Sequence, residues 1–247
     1  MVLMSLRCVL TRPLIFPAPK HKNMPHLPEG KLVTVKKERI AYGYYAKAGS
    51  RLAVFFHGNG ELFNSFEEVA ALMLQEGFSV LLVEYPGYGV AAAHSATEKH
   101  IYEDTTALLN LMKDQYGHKS EDVLLWGFSI GTGVAVEMAA KEHGGRLILM
   151  APFTSIVDVG ALHFGFLARW LIVDTFDSKS KAKNITIPVL IVHGERDSVI
   201  PVQMGQELSQ IFPRAEFIAV PQANHSNLFQ FLSDASWEQI LKFAKKK

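Results

Sequence analysis

The chain has 247 residues, 49% of them hydrophobic and 20% charged, which is enough to bury a large core in one globular domain. Its net charge of +1 excludes nucleic acid as the main partner, because phosphate binding shows as a strong basic excess. One cysteine, Cys8, permits no internal disulfide and points to a reducing, cytoplasmic compartment.

Residues 1–28 differ from the body of the chain. They carry Arg7, Arg12, Lys20 and Lys22, no acid before Glu29, and prolines at 13, 17, 19, 25 and 28. No apolar run among them could span a bilayer, and none has the length or cleavage site of a secretory signal. They read as an N-terminal arm extended over the domain surface. The basic, acid-free composition leaves mitochondrial targeting or weak association with a membrane surface open.

Residues 29–247 read as one domain. LVTVKK and IAYGYYAK, joined by the polar Lys37-Glu38-Arg39 turn, predict an antiparallel hairpin at a sheet edge. Leu52–Phe56 is unbroken apolar and predicts a central strand ending in His57-Gly58-Asn59-Gly60. A helix follows over Ser65–Gln75, with Phe66, Val69, Ala70, Met73 and Leu74 on one face and Gly77 as its stop. Ser79–Val83 is a further buried strand, and Thr97–Tyr116 a helix striped by Ile101, Leu108, Leu109 and Met112. Val123–Trp126 is again a strand, followed by a helix over Thr132–Lys141 and a short strand over Leu147–Met150. Strands alternating with helices imply a mostly parallel sheet flanked by helices, an α/β fold.

That rhythm breaks over about 152–187, where Leu162 to Ile172 is aromatic and aliphatic between polar flanks. An insertion here, over the carboxyl ends of the strands, predicts a small cap, and Phe164, Phe166, Leu167 and Trp170 are its expected substrate-binding residues. Val189–Val192 resumes the sheet. Pro201 opens a helix to Ile211, Ala215–Val220 is the final strand, and a helix over about Leu228–Phe243 closes the chain.

The stretch that carries chemistry is Gly127-Phe128-Ser129-Ile130-Gly131. In the G-x-S-x-G pattern a sharp strand-to-helix turn lifts a serine hydroxyl above the end of a sheet, and the flanking residues must be small because larger ones would collide with the neighbouring strand or helix. By itself such a serine could mark a plain tight turn. The ends of two later strands supply what it needs. A serine requires an imidazole to take its proton, and the imidazole requires a carboxylate to hold its tautomer. His225, after the final strand, and Asp197, just before the Pro201 helix, fill these roles, and Ser129, Asp197, His225 is the chain order of the α/β-hydrolase fold. His57 and His193, each before a glycine, read as structural histidines. Glu195 and Asp174 are the rival acids, of which Glu195 reads as a solvated loop residue. The backbone N–H groups of Ile130 and Asn59 are the expected oxyanion donors.

Taken together, HGNG, GYG after a strand, GFSIG, APFTS, PVLIVHGERDSVIP and NHSN, in that order and spacing, resemble the α/β-hydrolase superfamily of serine hydrolases over about residues 13–243. The branch they resemble is that of small enzymes with an HGN oxyanion loop, acyl-protein thioesterase-like and lysophospholipase-like members among them. The resemblance implies hydrolysis of an ester or thioester through an acyl-enzyme. Its substrate would be a small-molecule or lipid acyl compound or a lipidated protein. A peptidase or phospholipase on the same residues, or a non-catalytic binding protein of the same fold, are the alternatives. No metal or organic cofactor is expected, because the chain has no His-x-His or paired-cysteine cluster.

Overall fold

Strands that are apolar along their whole length must be covered on both faces, which favours parallel pairing in the middle of a sheet with helices packed over it. The computed structural model describes residues 11–246 and has this arrangement. Its eight strands are β1 (Lys31–Lys36), β2 (Ile40–Ala46), β3 (Leu52–Phe56), β4 (Ser79–Glu84), β5 (Val123–Phe128), β6 (Arg146–Met150), β7 (Val189–Gly194) and β8 (Ala215–Val220). They lie in one sheet in the order β1-β2-β4-β3-β5-β6-β7-β8. The predicted edge hairpin is β1–β2, antiparallel with Val33 opposite Gly43, and β2 is antiparallel to β4. Every later pairing is parallel. β3, β4, β5 and β7 are buried at every residue, whereas β8 alternates and forms the opposite edge.

The helices are α1 (residues 11–15), α2 (Glu67–Gln75), α3 (Glu98–Tyr116), α4 (Ile130–Ala140), α5 (Ile156–Phe164), α6 (Ala168–Leu171), α7 (Ser178–Ala182), α8 (Val202–Ile211) and α9 (Asp234–Lys245). Local chemistry sets where they begin. Thr97 caps α3 by accepting from the His100 N–H at 3.0 Å. The last predicted helix starts later than expected: Phe229–Phe231 is a 3₁₀ turn, and α9 begins only where the Ser233 hydroxyl accepts from the Ser236 N–H at 3.2 Å.

The N-terminal arm differs from expectation. Its first ten residues, Cys8 included, lie outside the described residues, and with them that part of the targeting or membrane-surface reading of residues 1–28. From residue 11 the arm starts as a short helix and then runs without helix or strand along the domain, largely exposed, but it also sinks apolar side chains into the core. Ile15, Phe16 and Leu27 are buried, and the Phe16 ring lies 6.1 Å from that of Phe176 in the cap. Arg12 Nε donates to Asp174 Oδ2 at 2.8 Å, and the Gly89 N–H donates to the Pro19 carbonyl at 2.9 Å. The same Asp174 accepts from the Glu98 N–H at 2.9 Å, and the Glu98 carboxylate accepts from the Thr175 N–H at 2.6 Å. Asp174 therefore ties arm, cap and α3 together, which removes it as a rival acid. Among the described residues no helix is long and apolar enough to cross a membrane.

Candidate active site

Ser129 stands between β5 and α4 with φ 52° and ψ −121°, a conformation that non-glycine residues rarely adopt. The two flanking glycines make it possible. A Cβ at Gly131 would run into the Phe56 carbonyl of β3, and one at Gly127 into the Gly131 carbonyl at the start of α4. The turn thus fits only with no side chain at either position, and it leaves the hydroxyl at the carboxyl end of the sheet.

The loops after β7 and β8 bring two partners to it. His225 Nε2 lies 2.9 Å from Ser129 Oγ, and His225 Nδ1 lies 2.7 Å from Asp197 Oδ2. An ionised carboxylate only accepts, so the imidazole carries its proton on Nδ1 and offers the Nε2 lone pair to the serine hydroxyl. The other oxygen of Asp197 accepts from the backbone N–H groups of Val199 and Ile200 at 2.9 and 2.8 Å. Burial pushes the Asp197 carboxyl up, but His193, His225 and the Ile200 N–H together outweigh it and hold the carboxyl well below the usual range. Asp197 is therefore a fixed anion. Glu195 is exposed, and among the described residues the hydrogen bonds of the His225 ring go to Asp197 and Ser129.

His57 and His193 are structural, as expected. His193 is fully buried and donates from Nε2 to the Ile200 carbonyl at 2.9 Å, with Asp197 3.5 Å away. His57, also fully buried, donates from Nδ1 to the Gly58 carbonyl at 2.9 Å and meets Glu84 at 3.0 Å through Nε2. These contacts hold the loop after β3 from below. From above, the Gly58 N–H donates to Glu61 at 2.8 Å, and the Tyr88 hydroxyl donates to Asn59 Oδ1 at 3.1 Å. The Asn59 side chain is thus occupied, while its backbone N–H and that of Ile130 have no partner within the described residues. Both residues line the cavity that holds Ser129.

That cavity has a volume of about 910 Å³ and lies under the cap. Its floor is Ser129, Phe128 and His225; its walls are Phe153, Ile156, Val159, Leu171 and Ile172, with Thr11, Leu14 and Ile15 from α1. The arm had no periodic pattern to mark it as part of a site. Of the four predicted cap residues the cavity receives two, Phe164 and Leu167. Phe166 and Trp170 do not line it and are 74% and 71% exposed, which corrects their assignment. The reason is geometric: the predicted segment breaks at Gly165, φ 69°, and the short run from 165 to 171 turns Leu167, Ala168 and Leu171 to the cavity and leaves Phe166 and Trp170 outside it. Among the described residues no cluster of three or more His, Cys, Asp or Glu side chains is placed to hold a metal ion.

Comparison with known proteins agrees with this architecture. Residues 49–178 match the family described as "Serine aminopeptidase, S33", and residues 160–232 match "alpha/beta hydrolase fold". The chain belongs to the α/β-hydrolase superfamily of serine hydrolases. It is 32% identical over 183 residues to "Alpha/beta hydrolase domain-containing protein 17C" of Xenopus tropicalis, a match that covers 73% of this chain and 58% of that protein. The chain thus spans little more than half of that relative. It is 29% identical over 209 residues to an uncharacterised protein of Mycobacterium tuberculosis, covering 81% of this chain and 74% of the relative. Among solved structures, an esterase of Pyrococcus furiosus superposes with a TM-score of 0.76 over 92% of this chain and 98% of its own, at 19% identity, a likeness of fold alone.

Proposed function

We propose that the protein hydrolyses carboxylic ester or thioester bonds of acyl substrates through an acyl-enzyme on Ser129. Ser129 Oγ attacks the carbonyl carbon as its proton passes to His225 Nε2, and Asp197 stabilises the imidazolium that forms. The N–H groups of Asn59 and Ile130 receive the oxyanion, and the helix α4 behind Ser129 adds the positive end of its dipole. His225 then gives the proton to the departing alcohol or thiol. Water, deprotonated by the same imidazole, releases the acyl group and restores the serine.

The observation that carries this reading is the unbroken relay of 2.9 and 2.7 Å on the floor of an apolar cavity large enough for an acyl chain. The cavity wall also weighs against a peptidase that reads a charged terminus. Among the described residues its one carboxylate is Glu61, already engaged by the Gly58 N–H and by the Ser65 hydroxyl at 3.2 Å. The name of the Pyrococcus neighbour, an esterase, points the same way. A p-nitrophenyl ester series from acetate to palmitate, run beside a thioester on the wild type and Ser129→Ala, tests the proposal. Turnover should rise with chain length until the cavity is filled and vanish in the variant. No turnover of any acyl substrate, with no labelling by a fluorophosphonate, would leave a binding protein.

A further inference from the structure

Ten large apolar side chains are exposed among the described residues, and six of them lie between 162 and 171: Leu162, Phe164, Phe166, Leu167, Trp170 and Leu171. Two more, Leu14 and Val199, line the same cavity as Phe164 and Leu167. Eight of the ten therefore lie on the cap or line the cavity beneath it, a clustering that marks an interaction surface. From 159 to 173 the cap carries His163 and Arg169 and no carboxylate. Asp174, which follows, is buried against Arg12.

We propose that this ridge of the cap docks on the surface of a lipid bilayer. Phe166, in the 3₁₀ turn 165–167, and Trp170, in the short α6 that follows, are both exposed and both stand outside the cavity, on the solvent side of the cap, as an element lying in the interface requires. An indole exposed to water on one side and apolar neighbours on the other suits the headgroup boundary. Arg169 beside it, in a stretch from 159 to 173 without a carboxylate, favours anionic headgroups. Docked in this way, the mouth formed by Phe164, Leu167 and Leu14 faces the lipid, and an acyl chain passes from bilayer to cavity without crossing water. This last step rests on the proposed acyl hydrolysis; the docking itself does not.

The test separates the two. The full chain carrying Ser129→Ala, inert by design, is mixed with phosphatidylcholine vesicles with and without phosphatidylserine, and partitioning is read by co-sedimentation and tryptophan emission. Of the three tryptophans, Trp126 is fully buried and Trp237 half-buried, so a blue shift that is lost in Trp170→Ser reports Trp170. Binding should be tighter with phosphatidylserine, and Phe166→Ser with Trp170→Ser should weaken it by about ten-fold or more. In the active chain the same pair should leave turnover of a soluble short ester unchanged, since neither residue lines the cavity. No partitioning, or partitioning untouched by the pair, overturns the proposal. Concentration-dependent self-association that the pair abolishes also overturns it, in favour of a second copy as the occupant.

Discussion

The ring of Phe128 stacks on the imidazole of His225, centroids 5.3 Å apart and planes within 28° of parallel. The residue before the serine thus also steadies its base: hydrogen bonds fix two points of the imidazole, and Phe128 fixes the plane through them. Replacing Phe128 by Leu keeps most of the volume and removes the flat face. We expect kcat to fall about ten-fold with KM little changed, as for a base held less well. Steady-state kinetics on a short ester would show it, and a rise in KM alone would assign Phe128 to substrate binding.

Ser129→Ala should lower kcat by at least about a thousand-fold and abolish fluorophosphonate labelling, while the melting temperature stays close to that of the wild type. Labelling that persists would move the nucleophile elsewhere, and Ser226, which also lines the cavity, would be examined next.

Asp197→Asn removes the acceptor that sets the His225 tautomer, and turnover should fall about 10⁴-fold. Glu195→Gln, on an exposed loop, should change it less than two-fold by the same assay. The reverse result would reassign the acid.

The depressed Asp197 carboxyl has a consequence for stability with a definite sign. In the unfolded chain the group titrates near its ordinary value of about 3.9. In the fold it binds a proton only at lower pH, so ionised Asp197 stabilises the native state above that ordinary value, and the contribution fades as pH falls towards the folded value. Denaturant melts on an acid series should show the wild type losing stability faster below about pH 4 than Asp197→Asn. Equal slopes would mean that the carboxyl is not depressed.

Arg12→Ala strips the buried Asp174 of its guanidinium and should cost about 2 kcal/mol, read from a urea melt, moderated because Arg12 is partly exposed. Since α1 forms one wall of the cavity, KM for long-chain esters should rise more than KM for acetate. Arg12→Lys keeps the charge but not the directed Nε bond and should fall between the two. An unchanged chain-length profile would detach the arm from substrate selection.

The sheet was legible because continuous apolar runs mark β3, β4, β5 and β7, and the three candidate site residues because each follows a strand among small or polar neighbours, Ser129 after β5, Asp197 after β7 and His225 after β8. What escaped depends on contacts between distant parts of the chain. Leu14 and Ile15 sit in a proline-rich stretch with no periodicity, and the partners of their neighbours, Asp174 for Arg12 and Phe176 for Phe16, lie far along the chain. Phe166 and Trp170 share their composition with Phe164 and Leu167, and a run of seven residues is too short for periodicity to say which side meets the cavity. His57 was rightly read as a loop support, although its partner Glu84, at the end of another strand, left no mark near it.

Arg12 and Asp174 are 162 residues apart, so the bond between them closes a very long loop. Closing it is entropically expensive, so the wall it anchors forms only once parts of the chain far apart in sequence have met. On refolding, the sheet can form before that wall, and on heating the wall can open while the sheet persists. Acyl-chain selectivity should therefore decay at a lower temperature than ellipticity, and a warmed sample would pass through a state that still cleaves acetate esters but no longer distinguishes them from longer ones.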